Sequence, residues 1–172
     1  MIDLARLYAR IALLRSGPQD VPASALLLAL TTLAYALANA TGNWLVPPKD
    51  APWPAMLAVD VTFTLCWYGL LLRVVRKPER FLQTTTAVFG LRTLVAPLVI
   101  ASGALLRRFG EAGMWQLPVW ALSMALAVWV IAANSHVLKA ALEWTIPACV
   151  GLVILEMIGN ELLQLSLLPL SH

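Results

Sequence analysis

Apolar residues fall in five blocks of about 20, and this grouping constrains the fold more than any other feature of the sequence. A helix rises 1.5 Å per residue, so a block of about 20 residues crosses the roughly 30 Å hydrocarbon core of a bilayer. The chain is 60% hydrophobic and only 12% charged, with a mean hydropathy of +0.80. A soluble domain carries about 25% charged residues. The sequence therefore predicts an all-α membrane protein, folded as one transmembrane domain over residues 1–172.

The predicted architecture is a bundle of five transmembrane helices joined by short polar segments. The spans are predicted at about residues 22–41, 55–72, 81–106, 119–138 and 144–168. The first span ends in Ala-x-Ala patterns like those that signal peptidase cleaves. The alternative for this span is therefore a signal peptide that is removed by cleavage.

The segment of residues 1–20 is too charged to cross a membrane. On a helix, Asp3, Arg6 and Arg10 form a narrow polar stripe and apolar residues cover the rest. This pattern predicts a short amphipathic helix in the membrane interface, ended by the Ser-Gly-Pro sequence at residues 16–18. The alternative is an ordinary basic cytoplasmic tail.

Basic residues are distributed unevenly between the two sides that five spans create. With the N-terminus inside, eight fall on the inner side: Arg6, Arg10, Arg15, Arg73, Arg76, Lys77, Arg80 and Lys139. Three fall on the outer side: Lys49, Arg107 and Arg108. Because positive charge is retained in the cytoplasm, this asymmetry predicts a multi-pass protein of the cell inner membrane, with a cytoplasmic N-terminus and an outside C-terminus.

Four ionisable side chains lie inside the predicted spans: Asp60, Arg92, Glu156 and Glu161. Each costs about 2.5–3.5 kcal/mol on insertion scales, so such groups normally face the bundle interior and have partners. Counted from the inner ends at 1.5 Å per residue, Arg92 lies about 15 Å deep, Glu156 about 18 Å and Asp60 about 20 Å. We predict a polar cluster of these four with Asn160, in which Arg92 pairs with Asp60 or Glu156.

Two interpretations of this cluster stay open. In the first, the ion pair is structural and fixes the register of the helices. In the second, the excess of three carboxylates over one cation means that one carboxyl group is protonated or faces water. Such a group is suited to binding a proton or a cation in a transport cycle.

Weaker polar patterns occur on the fourth span. Ala121 with Ala125 and Ser123 with Ala127 have the four-residue spacing of small residues that allows close helix packing. Asn134 lies near the inner end of this span, where a satisfied, interfacial amide is expected.

The basic turn between the second and third predicted spans contains Arg73, Arg76, Lys77 and Arg80. Such a group is suited to contact with anionic lipid headgroups. The simpler alternative is that these residues only anchor the inner ends of the helices.

Sequence motifs for catalysis are lacking: there is no zinc-protease helix motif and no G-x-S-x-G nucleophile elbow. Cys66 and Cys149 are not at metal-ligand spacing and are expected to be small buried apolar residues. We therefore predict that the chain is not an enzyme and has no metal, cofactor or nucleic-acid partner.

Two stretches carry a family resemblance: RSGPQDVPAS before the first span and RFLQTTTAVFG at the start of the third. With five spans, they make the chain resemble the bacterial branch of the Yip1-domain membrane proteins. The resemblance implies a small helical bundle that organises membranes or accompanies other membrane proteins. The long cytosolic N-terminal region of eukaryotic members has no counterpart here, so their role in membrane traffic is not carried over, and no catalytic residues transfer.

The function predicted from the sequence is that of a non-enzymatic membrane scaffold or an accessory subunit of a membrane complex. Its expected partners are the lipid bilayer and other membrane proteins or further copies of itself. The alternative is a small oligomeric transporter or channel, coupled to ions or protons, that uses the intramembrane carboxylates.

Overall fold

The computed structural model describes residues 2–13, 17–45, 52–111 and 113–167. Its six α-helices are α1 (Ile2–Ala12), α2 (Ala25–Leu45), α3 (Trp53–Val74), α4 (Phe81–Phe109), α5 (Gly113–Leu142) and α6 (Ile146–Leu167). Single 3-10 turns precede α2, at Pro18–Asp20, and α4, at Pro78–Arg80. No strand occurs in these four ranges, and the fold is an all-α bundle.

Five of the helices, α2 to α6, are long and apolar enough to cross a membrane, which confirms the five predicted spans. The helices extend further than the apolar blocks. The fourth span was predicted at residues 119–138, whereas α5 covers Gly113–Leu142. Hydropathy marks only the part of a helix suited to hydrocarbon, and backbone hydrogen bonding continues beyond it into more polar residues. The predicted end of the fifth span at residue 168 lies just outside the described residues.

Helix α4 is at the centre of the bundle and contacts α1, α2, α3 and α5. Every residue from Thr84 to Leu91 is buried, so this stretch of the helix is covered on all sides. The other spans each leave a broad apolar face exposed, as expected for helices whose solvent is lipid. Within this stretch Thr85 donates to the carbonyl oxygen of Phe81 in its own helix, whereas the buried hydroxyls of Thr84 and Thr86 have no partner among the described residues.

Helix α1 confirms that the N-terminal segment is helical, but its apolar face packs against protein. Tyr8, Ile11 and Ala12 are buried, and the Tyr8 ring fills the space that a Cβ at position 90 would need. Glycine is therefore required at Gly90 for α1 to approach α4. The docking of this face on the bundle is a feature that the amphipathic pattern alone did not predict.

A second contact of α1 is made with α5. The indole Nε1 of Trp129 donates a hydrogen bond to the carbonyl oxygen of Ala12 at 3.2 Å. Arg10 is exposed, in agreement with its place on the predicted polar stripe. The side chains of Asp3 and Arg6, and Ser16 of the predicted helix stop, lie outside what the structure describes.

The turn after α3 is closed by its own backbone. Arg76 has a left-handed backbone (φ 60°), its N–H donates to Arg73 O at 3.0 Å, and the N–H of Lys77 donates to Leu72 O at 2.8 Å. These two bonds form the Schellman motif, in which the residue beyond the helix end adopts the left-handed region. The motif reverses the chain and brings the basic residues of this turn beside the end of α5.

Candidate functional site

Arg92 lies in the middle of the bundle and contacts side chains from two other helices. Its Nη2 is 2.6 Å from Glu156 Oε1 on α6, and its Nη1 is 3.6 Å from Asp60 Oδ1 on α3. Nη1 also donates a hydrogen bond to Thr64 Oγ1 at 3.0 Å. The structure thus brings one guanidinium together with two carboxylates that are distant in sequence: Asp60 lies 32 positions before Arg92, and Glu156 lies 64 positions after it.

Two tyrosines and one amide complete the shell around the carboxylates. Tyr35 donates its hydroxyl hydrogen to Asp60 Oδ2 at 2.8 Å, and Tyr68 donates to Glu156 Oε2 at 2.9 Å. Asn160 Nδ2 donates to Asp60 Oδ1 at 2.8 Å. We call this set the interior network, and its members are Tyr35, Asp60, Thr64, Tyr68, Arg92, Glu156 and Asn160.

The interior network ties four helices together, since its members come from α2, α3, α4 and α6. Each oxygen of Asp60 and of Glu156 has a donor within the network or faces Arg92. In a medium of low dielectric constant, hydrogen bonds of this kind are strong and an unpaired member is costly. The network therefore fixes the relative positions of these helices.

A cavity of about 290 Å³ adjoins the interior network and reaches α5. Asn134 lines it, is only 4% exposed, and has a buried Oδ1 without a hydrogen-bond partner among the described residues. Asn160 lines the same cavity, and its buried Oδ1 is likewise unpartnered among the described residues. The expectation of a satisfied amide at Asn134 was wrong, because the bundle closes around this residue and only its Nδ2, which donates to the carbonyl oxygen of Val130, has a partner.

Glu161 is the member of the predicted cluster that the structure separates from Arg92. Glu161 lines the cavity and is exposed, and its carboxylate has no ion pair among the described residues. It follows Asn160 directly on α6, so the helix turns its side chain about 100° away from the network. Of the five predicted members, Asp60, Arg92, Glu156 and Asn160 are joined by direct contacts, and Glu161 shares only the cavity.

Tyr35 and Tyr68 were absent from the predicted cluster, although the sequence contains a signal for both. A tyrosine in the middle of an apolar span must place its hydroxyl against a partner, since lipid offers none. Tyr68 lies eight residues after Asp60, two turns along the same face of α3. That spacing indicates a shared polar face, and only the choice of partner needed the structure.

The basic turn proposed for lipid contact is partly occupied by protein. Lys77 Nζ is 2.8 Å from Glu143 Oε2, and Arg80 Nη2 is 2.6 Å from Glu143 Oε1. We call these three residues the turn clamp. Arg73 and Arg76 are exposed, so two of the four basic residues remain turned outward.

The turn clamp also satisfies the end of α5. Arg80 Nη1 donates to the carbonyl oxygens of Ala140 and Ala141 at 3.1 and 2.9 Å, and Lys77 Nζ donates to that of Leu142 at 3.2 Å. The last carbonyls of a helix have no partner within the helix, and cations at that end are favoured. Hydrogen bonds from Lys77 and Arg80 and their charges lower the pKa of Glu143.

An open groove separates α2 from α3 on the outer surface of the bundle. It has a volume of about 720 Å³, and we call it the α2–α3 groove. Its α2 wall carries small residues along one face: Ala25, Ala29, Thr32 and Ala36. Its α3 wall adds Ala58 and Thr62.

Ala121 and Ala125 on α5 were predicted to pack closely against another helix, but both are exposed. Ser123 on the same helix is hydrogen-bonded to Ser102 at 2.8 Å.

No cluster of three or more His, Cys, Asp or Glu residues suited to a metal ion occurs in the described part of the chain. Cys149 is buried, whereas Cys66, expected to be buried, is exposed on the surface of α3.

No family model, curated protein or solved structure matches the chain. The resemblance to Yip1-domain proteins therefore stays a prediction, and function is inferred from the geometry.

Proposed function

We propose that the chain is a non-enzymatic membrane scaffold or accessory subunit that receives a transmembrane helix of a partner protein in the α2–α3 groove. The observation that carries this proposal is the groove itself. Within a membrane, helices associate through close packing rather than through the hydrophobic effect, and small residues are what allow that approach. The groove presents small residues from both of its walls.

The spacing of these residues suits a helix as the occupant. On α2, Ala25, Ala29, Thr32 and Ala36 follow each other at intervals of four, three and four residues, which places them on one face. Helices α2 and α3 are consecutive in the chain, and this face of α2 lies between them. Both helices also pack against α4. An open groove between two helices, half of whose lining residues are small, has room for the ridge of a third helix.

A rigid interior supports the same role. The charged groups and hydroxyl groups of the interior network bind one another across four helices, as the contacts of Arg92, Asp60 and Glu156 show. A frame with fixed helix positions presents an outer groove of constant shape. A scaffold needs a groove of constant shape. A catalytic role would instead need a reactive group that is not bound to other members of the network.

The groove is tested by narrowing it. Ala29→Leu places three additional carbons on the groove wall, and we expect the partner to be lost from the protein purified out of native membranes. The matched control is Ala125→Leu, the same change at an exposed position on α5. A photo-crosslinking amino acid at position 36 should form an adduct with the protein whose recovery depends on Ala29.

Three results would contradict the proposal. Equal recovery of every associated protein from the Ala29→Leu and Ala125→Leu variants would show that the groove does not receive a partner. Crosslinks to lipid alone would show that acyl chains fill it. Crosslinks to a differently tagged second copy would make the occupant the chain itself.

The orientation belongs to the same proposal: a cell inner membrane with the N-terminus in the cytoplasm and the C-terminus outside. It is supported by the turn clamp, which brings Lys77 and Arg80 to the end of α5, where Lys139 also lies. Reporter fusions after residue 77 and after residue 172 should give opposite signals. A cytoplasmic signal from both would reject this orientation.

Ion- or proton-coupled transport is the second candidate, and the cavity beside Arg92 is the observation that favours it. Asp60, Glu156 and Glu161 line this cavity, and carboxylates inside a helical bundle are groups that bind transported ions. Flux through the purified protein in liposomes separates the two candidates. Measurable flux that is abolished by Glu156→Gln would place transport ahead of the scaffold role.

A further inference from the structure

The four basic residues between α3 and α4 form two pairs with different surroundings. Lys77 and Arg80 belong to the turn clamp, where both are bound to Glu143. Arg73 and Arg76 are exposed, and neither side chain has a hydrogen bond or an ion pair to another described residue. We call these two residues the arginine pair, and their charges are available to a group outside the protein.

The turn keeps an excess of positive charge after its acidic residues are counted. Four basic residues lie in it, together with Glu79, and Glu143 is bound to it through the turn clamp. Two positive charges are therefore not balanced. Because Glu143 contacts Lys77 and Arg80, the excess belongs mainly to the arginine pair, and such a group attracts anionic lipid headgroups at a membrane surface.

The end of α3 does not need the side chains of the arginine pair. Its final carbonyl oxygens accept hydrogen bonds from the backbone: the N–H of Arg76 donates to Arg73 O, and that of Lys77 donates to Leu72 O. At the end of α5, by contrast, the side chains of Lys77 and Arg80 donate to the carbonyl oxygens. Capping of a helix therefore explains the position of Lys77 and Arg80 but not that of the arginine pair.

Arg76 also has an unfavourable backbone conformation. Its φ of 60° is in the left-handed region, which glycine adopts without the steric cost that a side chain brings. No contact of its side chain in the described part of the chain offsets this cost. Local strain of this kind is a reason to look for a use of the side chain.

Arg73 continues an exposed, lipid-facing stripe on α3. Cys66, Leu70 and Arg73 follow each other at intervals of four and three residues, which places them on one face, and Val74 is beside them. The side chains of Leu70 and Val74 are 64% and 71% exposed, whereas Tyr68 on the opposite face is buried. At 1.5 Å per residue, Cys66 lies about 10 Å further into the membrane than Arg73. The long side chain of Arg73 can thus reach the headgroups while the stripe faces acyl chains.

We propose that the arginine pair binds the headgroup phosphate of an anionic phospholipid, whose acyl chain lies along Leu70 and Cys66. The planar donors of arginine match the oxygens of a phosphate group. Phosphatidylcholine carries the same phosphate together with a cation, so the positive excess of the turn gains less from it. The α3 wall of the α2–α3 groove ends at Leu65, so this site occupies a different stretch of the helix.

The reporter is a small bimane fluorophore on Cys66, which is exposed, whereas Cys149 is buried and should not react. The full chain is labelled and placed in vesicles of equal parts phosphatidylglycerol and phosphatidylcholine. In paired samples one lipid or the other carries a nitroxide on its acyl chain, which quenches a nearby fluorophore. We expect phosphatidylglycerol to quench at least about fivefold more strongly, the preference that one arginine at a membrane surface provides. Equal quenching by the two lipids would overturn the proposal.

Arg73→Gln should lower this preference by at least about half, and adding Arg76→Gln should abolish it. The matched control is Lys139→Gln, which removes one exposed positive charge at the end of α5 and should keep the preference. An equal loss in Arg73→Gln and Lys139→Gln would mean that overall charge gathers anionic lipid. An unchanged preference in the double arginine variant would place the lipid elsewhere. Either result overturns the assignment.

Arg76→Gly keeps the test valid if the double variant does not fold. Glycine suits the left-handed backbone at this position, so the variant should melt at a higher temperature in detergent while its preference for phosphatidylglycerol falls. A full preference in this variant would exclude Arg76 from the site and overturn the arginine pair. Ala29→Leu should leave the lipid preference unchanged, and the arginine variants should leave partner capture in the groove unchanged, so the two proposals fail separately.

Discussion

The interior network and the turn clamp contain ion pairs of the same length in different surroundings. Arg92 to Glu156 and Arg80 to Glu143 are both 2.6 Å. The side chain of Glu156 is 3% exposed, whereas that of Glu143 is 61% exposed. At a given distance the Coulomb energy scales inversely with the dielectric constant, and solvent and salt screen the exposed pair. Equal distances therefore do not imply equal contributions to stability.

The two regions also differ in what happens when one member is lost. In the turn clamp, water can replace either partner of Glu143, and exposed pairs typically contribute about 0–1 kcal/mol. In the interior network the charged groups are largely buried, so a stranded charge is poorly solvated and removing one partner is far more costly than the net value of the pair. The comparison predicts a graded set of mutational effects.

The largest effect is expected for Arg92→Leu, because it leaves Asp60 and Glu156 facing each other without a cation. Breaking a buried pair in this way typically costs about 3–5 kcal/mol. Adding Glu156→Leu to Arg92→Leu should recover part of the loss. The measurement is a double-mutant cycle on unfolding in detergent, with Asp60→Leu as the comparison partner.

The cycle also ranks the two carboxylates. Coupling of Arg92 to Glu156 should exceed coupling to Asp60, since the separations are 2.6 and 3.6 Å. Additive effects for both pairs would mean that the guanidinium is not held by either carboxylate, and the comparison of the two regions would collapse.

An intermediate effect is expected for the tyrosines of the interior network. Tyr68 is fully buried, so Tyr68→Phe leaves Glu156 Oε2 without a donor, at about 1–3 kcal/mol. Tyr35 is only partly buried, and Tyr35→Phe should cost less, because Asp60 keeps its bond from Asn160. Unfolding of the two variants under the same conditions checks the order. A larger loss for Tyr35→Phe would show that Asp60, not Glu156, is the main anchor of Arg92.

The smallest effect is expected for Glu143→Gln in the turn clamp. The folded-state pKa of Glu143 is lowered from 4.5, so its stabilising contribution is present above that pH and is lost as the pH falls through the lowered value. The melting temperature of the unchanged chain should therefore decline slightly in acid relative to the variant, and added salt should remove the difference at neutral pH. A salt-insensitive difference would place the clamp with the buried pairs.

The number and kind of helices were predictable because the bilayer imposes one length scale, and apolar blocks of about 20 residues reflect it directly. The same rise per residue placed Arg92, Asp60 and Glu156 at similar depths, and the structure brings these three together. Helix ends were less predictable. Hydropathy does not sense the hydrogen bonds that extend α5 beyond its apolar block or those that close the turn at Arg76.

Rotation about each helix axis was the part that the sequence left undetermined. Asn134 and Glu161 show this, since both line the same cavity but Asn134 is buried and Glu161 is exposed. Small residues at four-residue spacing occur on several spans, and only the packing of α4 decides that those of α2 line a groove while Ala125 faces outward. A pattern on one helix carries no information on which neighbour covers it.

The docking of α1 sets an order of events during synthesis. Ala12 and Trp129 are 117 residues apart, and Tyr8 meets Gly90 on α4. At about 5–20 residues per second, translation from the first of these residues to the last takes about 6–23 s. Until α4 has been made, helix α1 has no binding site, and its buried face must be covered by lipid or by a chaperone. Helix α1 therefore completes its final contacts only after α5 has been inserted.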